Sequence, residues 1–540
     1  MLHALRALFA RVGLSGAALA LCFAALAQCN LWLVRPWVVP VSNDEGYIAA
    51  MALRMIRGHW LPYVDGVSQR GPLLYWLSAL FIRAGGVWTW MPMRVLGALL
   101  AFAQVALTYA LARTIAGRLA AALSASIVTY LLCFELIPWD GLGVNGEPLG
   151  SAFALAATLA LARAQLEAGT DRRRRALLVA SGALSACAAL SKQMFLVHVL
   201  PLAAWAWLGP SSAAAERDAR VRRAETLRFA LGFLGPFALV LSVYALSSNL
   251  GRFVYYFQRY GREIFMDPVS MTSIREAFRR QIERSLTLVL LVLLAWAALV
   301  AKGVDRSRPL ADRARVVPLV LCANALLGFA GALFTTRFFG HYFVQVIPWI
   351  ALVIAVLFAR TDEGRSARHW LVVAAALVVL GVGVFARGRQ IHRWRESDRW
   401  FQDPSDDPIS RYVREHSQPD QTVFVWGFRA ETYLSAERWP ASRYVYTVYP
   451  AGVVPWFSAT RQEMERRVVP GSREELLQDL ERERPELLVD AGRTMLDQYM
   501  YNYPVFRRFI DQHYCFARYV DGEPIYRRRR EGERCRGALE

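Results

Sequence analysis

Asp44 and Glu45 form an acidic pair in the first polar stretch after an uncharged run from Val12 to Val34. A carboxylate can serve as a general base where it comes within hydrogen-bond reach of an acceptor hydroxyl. Its structural alternative is to cap the helix that begins near Glu45. A second acidic position, Glu147, lies in Asn145-Gly146-Glu147-Pro148. It has three chemical uses, namely assisting a base, positioning an acceptor or binding a metal, and one bland one, being solvated. Arg70, Arg337 and Lys192 are the cationic candidates for a phosphate. Guanidinium offers a planar fork that matches phosphate oxygens, with an exposed loop arginine as its alternative. Lys192, with Lys302 the only lysine in the chain, lies between two apolar runs. A lysine there needs a partner, and the choices are a lipid phosphate or snorkelling to headgroups. His341 and Tyr342 are candidates for donor or acceptor contact, with a solvated helix start and an interfacial anchor as their respective alternatives.

The elements that must carry these residues are apolar. The 540 residues are 55% hydrophobic, against about 45–50% for a soluble domain. Mean hydropathy is +0.26. Uncharged runs without polar alternation recur from Val12 to Ala386. A run of about 18 residues crosses the hydrocarbon core as a helix, and helices satisfy their own backbone there. Eleven spans are predicted, at 12–34, 93–112, 119–137, 148–163, 176–190, 193–209, 228–248, 285–302, 316–334, 342–359 and 369–386. The run 12–34 exceeds a signal-peptide core, so a retained first helix is expected despite the Ala25-Leu26-Ala27 cleavage-like site. The stretch 71–90 is broken by Arg83 and Gly85-Gly86 and reads as re-entrant or interfacial.

The formal charge of +19 and pI of about 10.0 follow from arginines clustered between spans. No zinc-finger spacing, aromatic RNA-binding motif or basic helix supports a nucleic-acid partner. With the N-terminus in the cytoplasm and 71–90 not spanning, the loops Arg113–Arg118, Arg163–Arg175, Pro210–Leu227, Lys302–Arg315 and Arg360–Arg368 all fall inside. That obeys the positive-inside rule, and a spanning 71–90 breaks it repeatedly. Outside then lie the loops 35–92, 138–147 and 249–284 and everything after about 387. The expected organisation is a transmembrane region over 1–386 and a soluble extracytoplasmic domain over 387–540. The tail is charged, with short apolar runs at Val423-Phe424-Val425-Trp426, Tyr444-Val445-Tyr446 and Leu487-Leu488-Val489 around a helical stretch Arg473–Arg484. Strands alternating with a helix predict a small α/β domain.

Soluble-enzyme motifs are missing: no Walker loop, HExxH, GxSxG or Asp-x-Asp is present. The one GxGxxG match, at Gly141, Gly143 and Gly146, falls between spans rather than between a strand and a helix, and reads as a flexible loop. Five of the seven cysteines lie in apolar runs. Cys515 and Cys535 lie in the tail, where an oxidising compartment would let them pair.

The order of the short motifs carries more than any one of them. Asp44-Glu45 after the first span, Gly58-His59-Trp60-Leu61-Pro62-Tyr63, and Gly71-Pro72-Leu73-Leu74-Tyr75-Trp76 come first. They are followed by Asn145-Gly146-Glu147-Pro148, by Arg337-Phe338-Phe339-Gly340-His341-Tyr342 with Ile347-Pro348, and by Val425-Trp426-Gly427, Arg443-Tyr444 and Ile525-Tyr526-Arg527 in the tail. Taken together the chain resembles the C-type-fold integral-membrane glycosyltransferases of the family-39-like bacterial group. These are kin of the protein O-mannosyltransferases and lipid A aminoarabinose transferases. The resemblance implies a polytopic α-helical fold of about 11–13 spans with a small C-terminal α/β domain. It implies a polyprenyl-phosphate-linked sugar as donor, with a glycan, lipid or protein as acceptor, among membrane lipids. It places the catalytic aspartate at Asp44 and a second acidic site at Glu147, where several relatives have aspartate. Substrate contacts then fall to Glu45, Tyr47, Arg70, Lys192, Arg337, His341 and Tyr342. Relatives often have a lysine where Arg70 stands. Some use a divalent metal ion and others do not, so the resemblance leaves a metal open and fixes no cofactor. Direct attack by the acceptor would invert the sugar, since a two-step route needs a second carboxylate as nucleophile. The cytoplasmic (inner) membrane is the expected location. A lipid-linked sugar flippase is the alternative from another class, and a surface-polysaccharide polymerase or ligase the nearer one. The nearly charge-free spans and the absence of a repeat weigh against transport.

Overall fold

The computed structural model describes residues 2–34, 42–167, 169–209, 219–261, 313–334, 339–360, 406–453 and 460–535, with 275, 279, 378, 381–390 and 392–393. The predicted span 285–302 and the site residue Arg337 lie outside the described residues, as does most of 369–386. Two compact units are present. The first comprises 1–33, 97–248 and 267–393, and the second 34–96, 249–266 and 394–540.

The first unit is helical. Among the described residues five helices are long and apolar enough to cross a membrane: Ser15–Trp32, Met91–Ala116, Arg118–Glu135, Gly146–Leu166 and Ala219–Leu246. Shorter apolar helices run over Gln193–Leu208, Val316–Ala332 and Gly340–Val356. The chain is a multi-pass membrane protein. Helix Ala219–Leu246 makes the physical point, with Leu231, Leu234, Leu239 and Leu246 each more than half exposed. An aliphatic face of this kind is stable only against lipid. Small residues let the helices close on one another. A Cβ on Gly182 would stand 2.0 Å from the Phe229 carbonyl oxygen, and one on Gly232 would stand 2.1 Å from that of Val179. On the neighbouring packing, with helix Gly146–Leu166, the Ser181 hydroxyl donates to the Ala157 carbonyl at 2.8 Å. Leu155, Leu161, Trp205 and Trp349 belong to one contiguous core.

Two of the expected spans begin as 3-10 turns, Gln193–His198 and Gly340–Gln345, before continuing as α-helices Val199–Leu208 and Ile347–Arg360. These irregular starts carry or adjoin Lys192, His341 and Tyr342. The glycines of the GxGxxG match are buried, and a Cβ on Gly141 would lie 2.1 Å from the Leu132 carbonyl oxygen. The segment is thus close-packed where a flexible loop was expected.

In the second unit, helix Pro72–Gly85 has 14 residues. At about 1.5 Å per residue it is near 21 Å long, short of the roughly 30 Å core. The tail holds a five-stranded sheet of β1 (Thr422–Gly427), β2 (Trp439–Pro440), β3 (Leu487–Ala491), β4 (Tyr514–Val520) and β5 (Glu523–Arg528). Their order is β2-β1-β3-β5-β4. β1 runs parallel to β2 and β3, while β5 is antiparallel to β3 and β4. The central β1 and β3 are buried along their whole length, around the apolar runs Val423–Trp426 and Leu487–Val489. The β4–β5 hairpin turns at Asp521 and Gly522, both with positive φ (52° and 75°), the pairing that a tight two-residue turn demands. Helix Ser472–Glu483 matches the helical stretch read from the sequence. Tyr444–Tyr446 is not a strand. The Arg443 N–H donates to Asp479 at 3.0 Å and the Tyr444 N–H to the Ser442 hydroxyl at 3.1 Å. Side chains have taken the donors that a strand partner would use. Cys515 and Cys535 form a disulfide.

Candidate active site

In the second unit, helix Asn43–Arg57 starts from Ser42, whose hydroxyl accepts from the Glu45 N–H at 3.1 Å. Ser42, not Asp44, is the cap, which leaves the Asp44 carboxylate for other work. Both acids sit in the first turn, where the helix dipole favours negative charge. Asp44 pairs with Arg70 and Glu45 with Arg94. The two pairs differ in access. The Glu45 side chain keeps 1% of its accessible surface and Arg94 5%, whereas Asp44 keeps 28%. The Glu45–Arg94 pair is buried on both sides. Asp44 is the accessible carboxylate of the two.

Arg70 is held from several directions. Its N–H donates to Ser68 Oγ at 3.1 Å, and its carbonyl accepts from the Tyr63 hydroxyl at 2.7 Å. Its guanidinium lies over the Tyr47 ring, 5.4 Å from the centroid. Burial disfavours the Arg70 charge, but Asp44, Tyr75 and Tyr47 outweigh it and raise the guanidinium well above its ordinary range. Arg70 Nη1 is buried with no hydrogen-bond partner among the described residues. Tyr47 is 2% exposed and donates to the Val67 carbonyl at 2.7 Å. It supports Arg70 from beneath and is not an open substrate contact.

Sequence reasoning missed the tail's contribution to this cluster. Tyr446 packs on Tyr47 with ring centroids 4.9 Å apart, and burial together with the Asp44 charge pushes its hydroxyl up. Tyr449 donates to Gln69 at 2.6 Å. The Val67 N–H donates to the Arg443 carbonyl at 2.9 Å. Gly46 lets the tail approach, because a Cβ there would stand 2.8 Å from the Glu431 nitrogen. The available signal was the tyrosine-rich Arg443–Tyr449 stretch, whose spacing reads as a strand.

In the first unit, helix Gly146–Leu166 is capped by Asn145, which accepts from the Gly146 N–H at 2.8 Å. Glu147 follows in its first turn, fully buried, and pairs with Lys192. Its Oε2 has no hydrogen-bond partner among the described residues. Lys192 therefore neither snorkels nor stands exposed. Its Nζ also lies 4.5 Å from the centroid of the Tyr342 ring, a cation–π contact. His341 stands edge-on to Tyr342 at 4.6 Å, and its Nδ1 lies 3.1 Å from Asp140 Oδ1. Asp140 was not singled out from the sequence, although it sits in the same short segment as Glu147. Glu147, Lys192, His341 and Tyr342, spread over almost two hundred residues, thus form one cluster.

Among the described residues no three His, Cys, Asp or Glu side chains gather into a group that could hold a metal ion. Asp44, Glu45, Glu147 and Asp140 are each already paired with a base.

No protein-family profile matches the sequence, and no curated protein sequence does. Solved structures match almost from end to end, and the architecture they share with this chain is the C-type fold of integral-membrane glycosyltransferases, the fold implied by the order of the motifs. The crystal structure of ArnT from Cupriavidus metallidurans bound to undecaprenyl phosphate aligns with a TM-score of 0.59 at 14% identity, over 96% of this chain and 98% of that one. In its apo state the same protein gives 0.60 at 13%, over 95% and 97%. The Archaeoglobus fulgidus oligosaccharyltransferase tethered with an acceptor peptide gives 0.50 at 13%, over 92% of this chain and 72% of that one.

Proposed function

We propose that this chain is a membrane glycosyltransferase that moves a monosaccharide from a polyprenyl-phosphate donor to an acceptor hydroxyl at the outer face of the cytoplasmic membrane. The Asp44–Arg70 pair carries this conclusion: an accessible carboxylate is held against a buried guanidinium at the start of a helix. A base for an incoming hydroxyl and a cation for an outgoing phosphate are the two groups that glycosyl transfer needs. The donor class is supported by the fold shared with ArnT from Cupriavidus metallidurans, whose crystal structure holds undecaprenyl phosphate. The acceptor is a glycan, a lipid or a protein.

In the reaction, Asp44 accepts the proton of the acceptor hydroxyl as that oxygen bonds to the anomeric carbon. The bond from that carbon to the phosphate oxygen breaks on the opposite face, its electrons leave with polyprenyl phosphate, and the sugar inverts. Arg70 stabilises the departing phosphate, with Nη1 as a donor aimed by its neighbours. Arg337, from the motif order, and Lys192, an interfacial lysine suited to a lipid phosphate, are the further cations, and Glu147 holds Lys192 in place. His341 and Tyr342 contact the substrates. Residues 387–540 form the extracytoplasmic domain, beyond a transmembrane region over 1–386. The Cys515–Cys535 disulfide, suited to an oxidising compartment, supports that sidedness, as do the arginine-rich loops expected inside.

The test compares wild type with Asp44→Asn in membranes loaded with labelled polyprenyl-phosphate sugars, at matched protein level. Release of polyprenyl phosphate and labelling of acceptor should fall by roughly 10²- to 10⁴-fold. Equal turnover by both proteins removes Asp44 from the role of base, and no turnover of any such donor by wild type removes the donor class.

A further inference from the structure

Asp140 lies in a short turn, Pro138–Gly141, and its N–H donates to the Ile137 carbonyl at 2.9 Å. Its carboxylate reaches the 3-10 turn Gly340–Gln345 from the side. A Cβ on residue 340 would stand 2.5 Å from Asp140 Oδ2, so a glycine there is what lets the carboxylate lie against the turn. The next residue is His341, with Nδ1 3.1 Å from Asp140 Oδ1. Both side chains are mostly buried, 15% and 9% exposed. The imidazole is clamped on its flanks as well. Phe339 stacks on it at 5.6 Å with the planes 6° apart, and Tyr342 meets it edge-on at 4.6 Å. On its own ring face Tyr342 receives Lys192, which Glu147 holds. Asp140 is therefore joined through His341 and Tyr342 to the Lys192–Glu147 pair.

We propose that Asp140 is a positioning residue that fixes the tautomer and ring orientation of His341. An ionised carboxylate only accepts hydrogen bonds, so the Nδ1 facing it must carry the hydrogen. With Nδ1 committed, His341 acts on a substrate through Nε2. Its aim is set by four groups: Asp140, the glycine at 340, and the rings of Phe339 and Tyr342. The chemistry this prepares for is a hydrogen bond from Nε2 to an oxygen of the sugar or its phosphate, an assignment that rests on the glycosyl-transfer reading. Side chains that hold a functional imidazole by its second nitrogen act on rate through geometry, because a misplacement of about 1 Å costs on the order of 100-fold.

Two measurements on the full chain test this. The first is the ¹⁵N spectrum of protein labelled in histidine, with the His341 signal assigned by its loss in His341→Gln. Wild type should show His341 protonated at Nδ1, and Asp140→Ala should shift it to the other tautomer or to a mixture. This readout needs no turnover, so it stands even if the donor class is wrong. The second is a double-mutant cycle on the turnover assay. Asp140→Ala should lower kcat by about 10- to 100-fold with donor KM changed little. In a His341→Gln background the same change should cost almost nothing further, because the two residues act as one unit. An unchanged tautomer in Asp140→Ala, or an equal rate loss in both backgrounds, overturns the proposal. Asp140→Asn, which keeps the shape and one acceptor oxygen, serves if the alanine variant fails to fold, and should give the same pattern in weaker form.

Discussion

Replacing Lys192 by methionine keeps most of the side-chain volume and removes the charge that faces Glu147. The cost can be estimated from the burial. The Glu147 side chain has no accessible surface, and Oε2 finds no hydrogen-bond donor among the described residues. Removing one partner from a buried ion pair costs about 3–5 kcal/mol, because the other charge stays buried and uncompensated. The lost contact with the Tyr342 ring adds roughly 1 kcal/mol. A typical domain has only about 5–15 kcal/mol in all. Glu147→Gln combined with Lys192→Met removes both charges, so most of the penalty should disappear, while the phosphate cation stays lost. The assay is thermal unfolding in detergent, followed by tryptophan fluorescence, alongside turnover of a polyprenyl-phosphate sugar. Lys192→Met should lower the midpoint by on the order of 5 °C, the double variant should recover more than half of that, and both should lose turnover. An unchanged midpoint in the single variant would refute the claim that Lys192 neutralises Glu147. A double variant as unstable as the single one would show that packing, not charge, explains the loss.

Burial, reinforced by the charge of Glu523, pushes Asp490 from 3.8 up to about 7, against N–H donors from Met500 and Tyr501. Between about pH 4 and 7 the folded tail then holds a proton that the unfolded chain has released. Stability should fall with rising pH across that window, by on the order of 4 kcal/mol. Hydrogen exchange at Met500 and Tyr501, corrected for intrinsic rates, should show protection dropping from pH 5 to 7.5 and a flatter profile in Asp490→Asn; protection that rises would contradict the sign. The Cys515–Cys535 bridge closes a loop of 20 residues in sequence separation, so reducing it should cost the tail about 3 kcal/mol. Exchange in β4 and β5 with and without reductant measures that loss. Gly182→Val forces a side chain onto the Phe229 backbone. About 1–3 kcal/mol is expected, at the upper end because backbone cannot swing aside, and a melting point equal to wild type would mean the helices are not packed that closely.

The sequence determined the class of the molecule through quantities that need no partner. Long uncharged runs dictate spanning helices wherever they sit, and Arg83 and the paired glycines of 71–90 mark the end of a short helix, Pro72–Gly85. Strands β1 and β3 were equally legible, since a central strand buried on both faces is mostly apolar, as the runs Val423–Trp426 and Leu487–Val489 are. Candidate chemistry was readable as a set of residue types in order: Asp44, Arg70, Glu147, Lys192, His341. What could not be read was who faces whom. Asp44 and Glu45 are adjacent and chemically alike, yet one turns to a buried arginine and the other keeps an accessible edge. That distinction depends on Arg94, fifty residues away. Lys192 had two open readings until Glu147 was found beside it. Tyr444–Tyr446 reads as a strand by its apolar run, but Ser442 captures the Tyr444 N–H and Asp479 that of Arg443 just before it. Asp140 carried no pattern at all, because its significance lies in a glycine and a histidine two hundred residues on. Periodicity and hydropathy act along the chain, over a few residues, and are therefore visible in the sequence. Ion pairs and hydrogen bonds act over a few ångströms in space, and only the folded chain decides which side chains come that close.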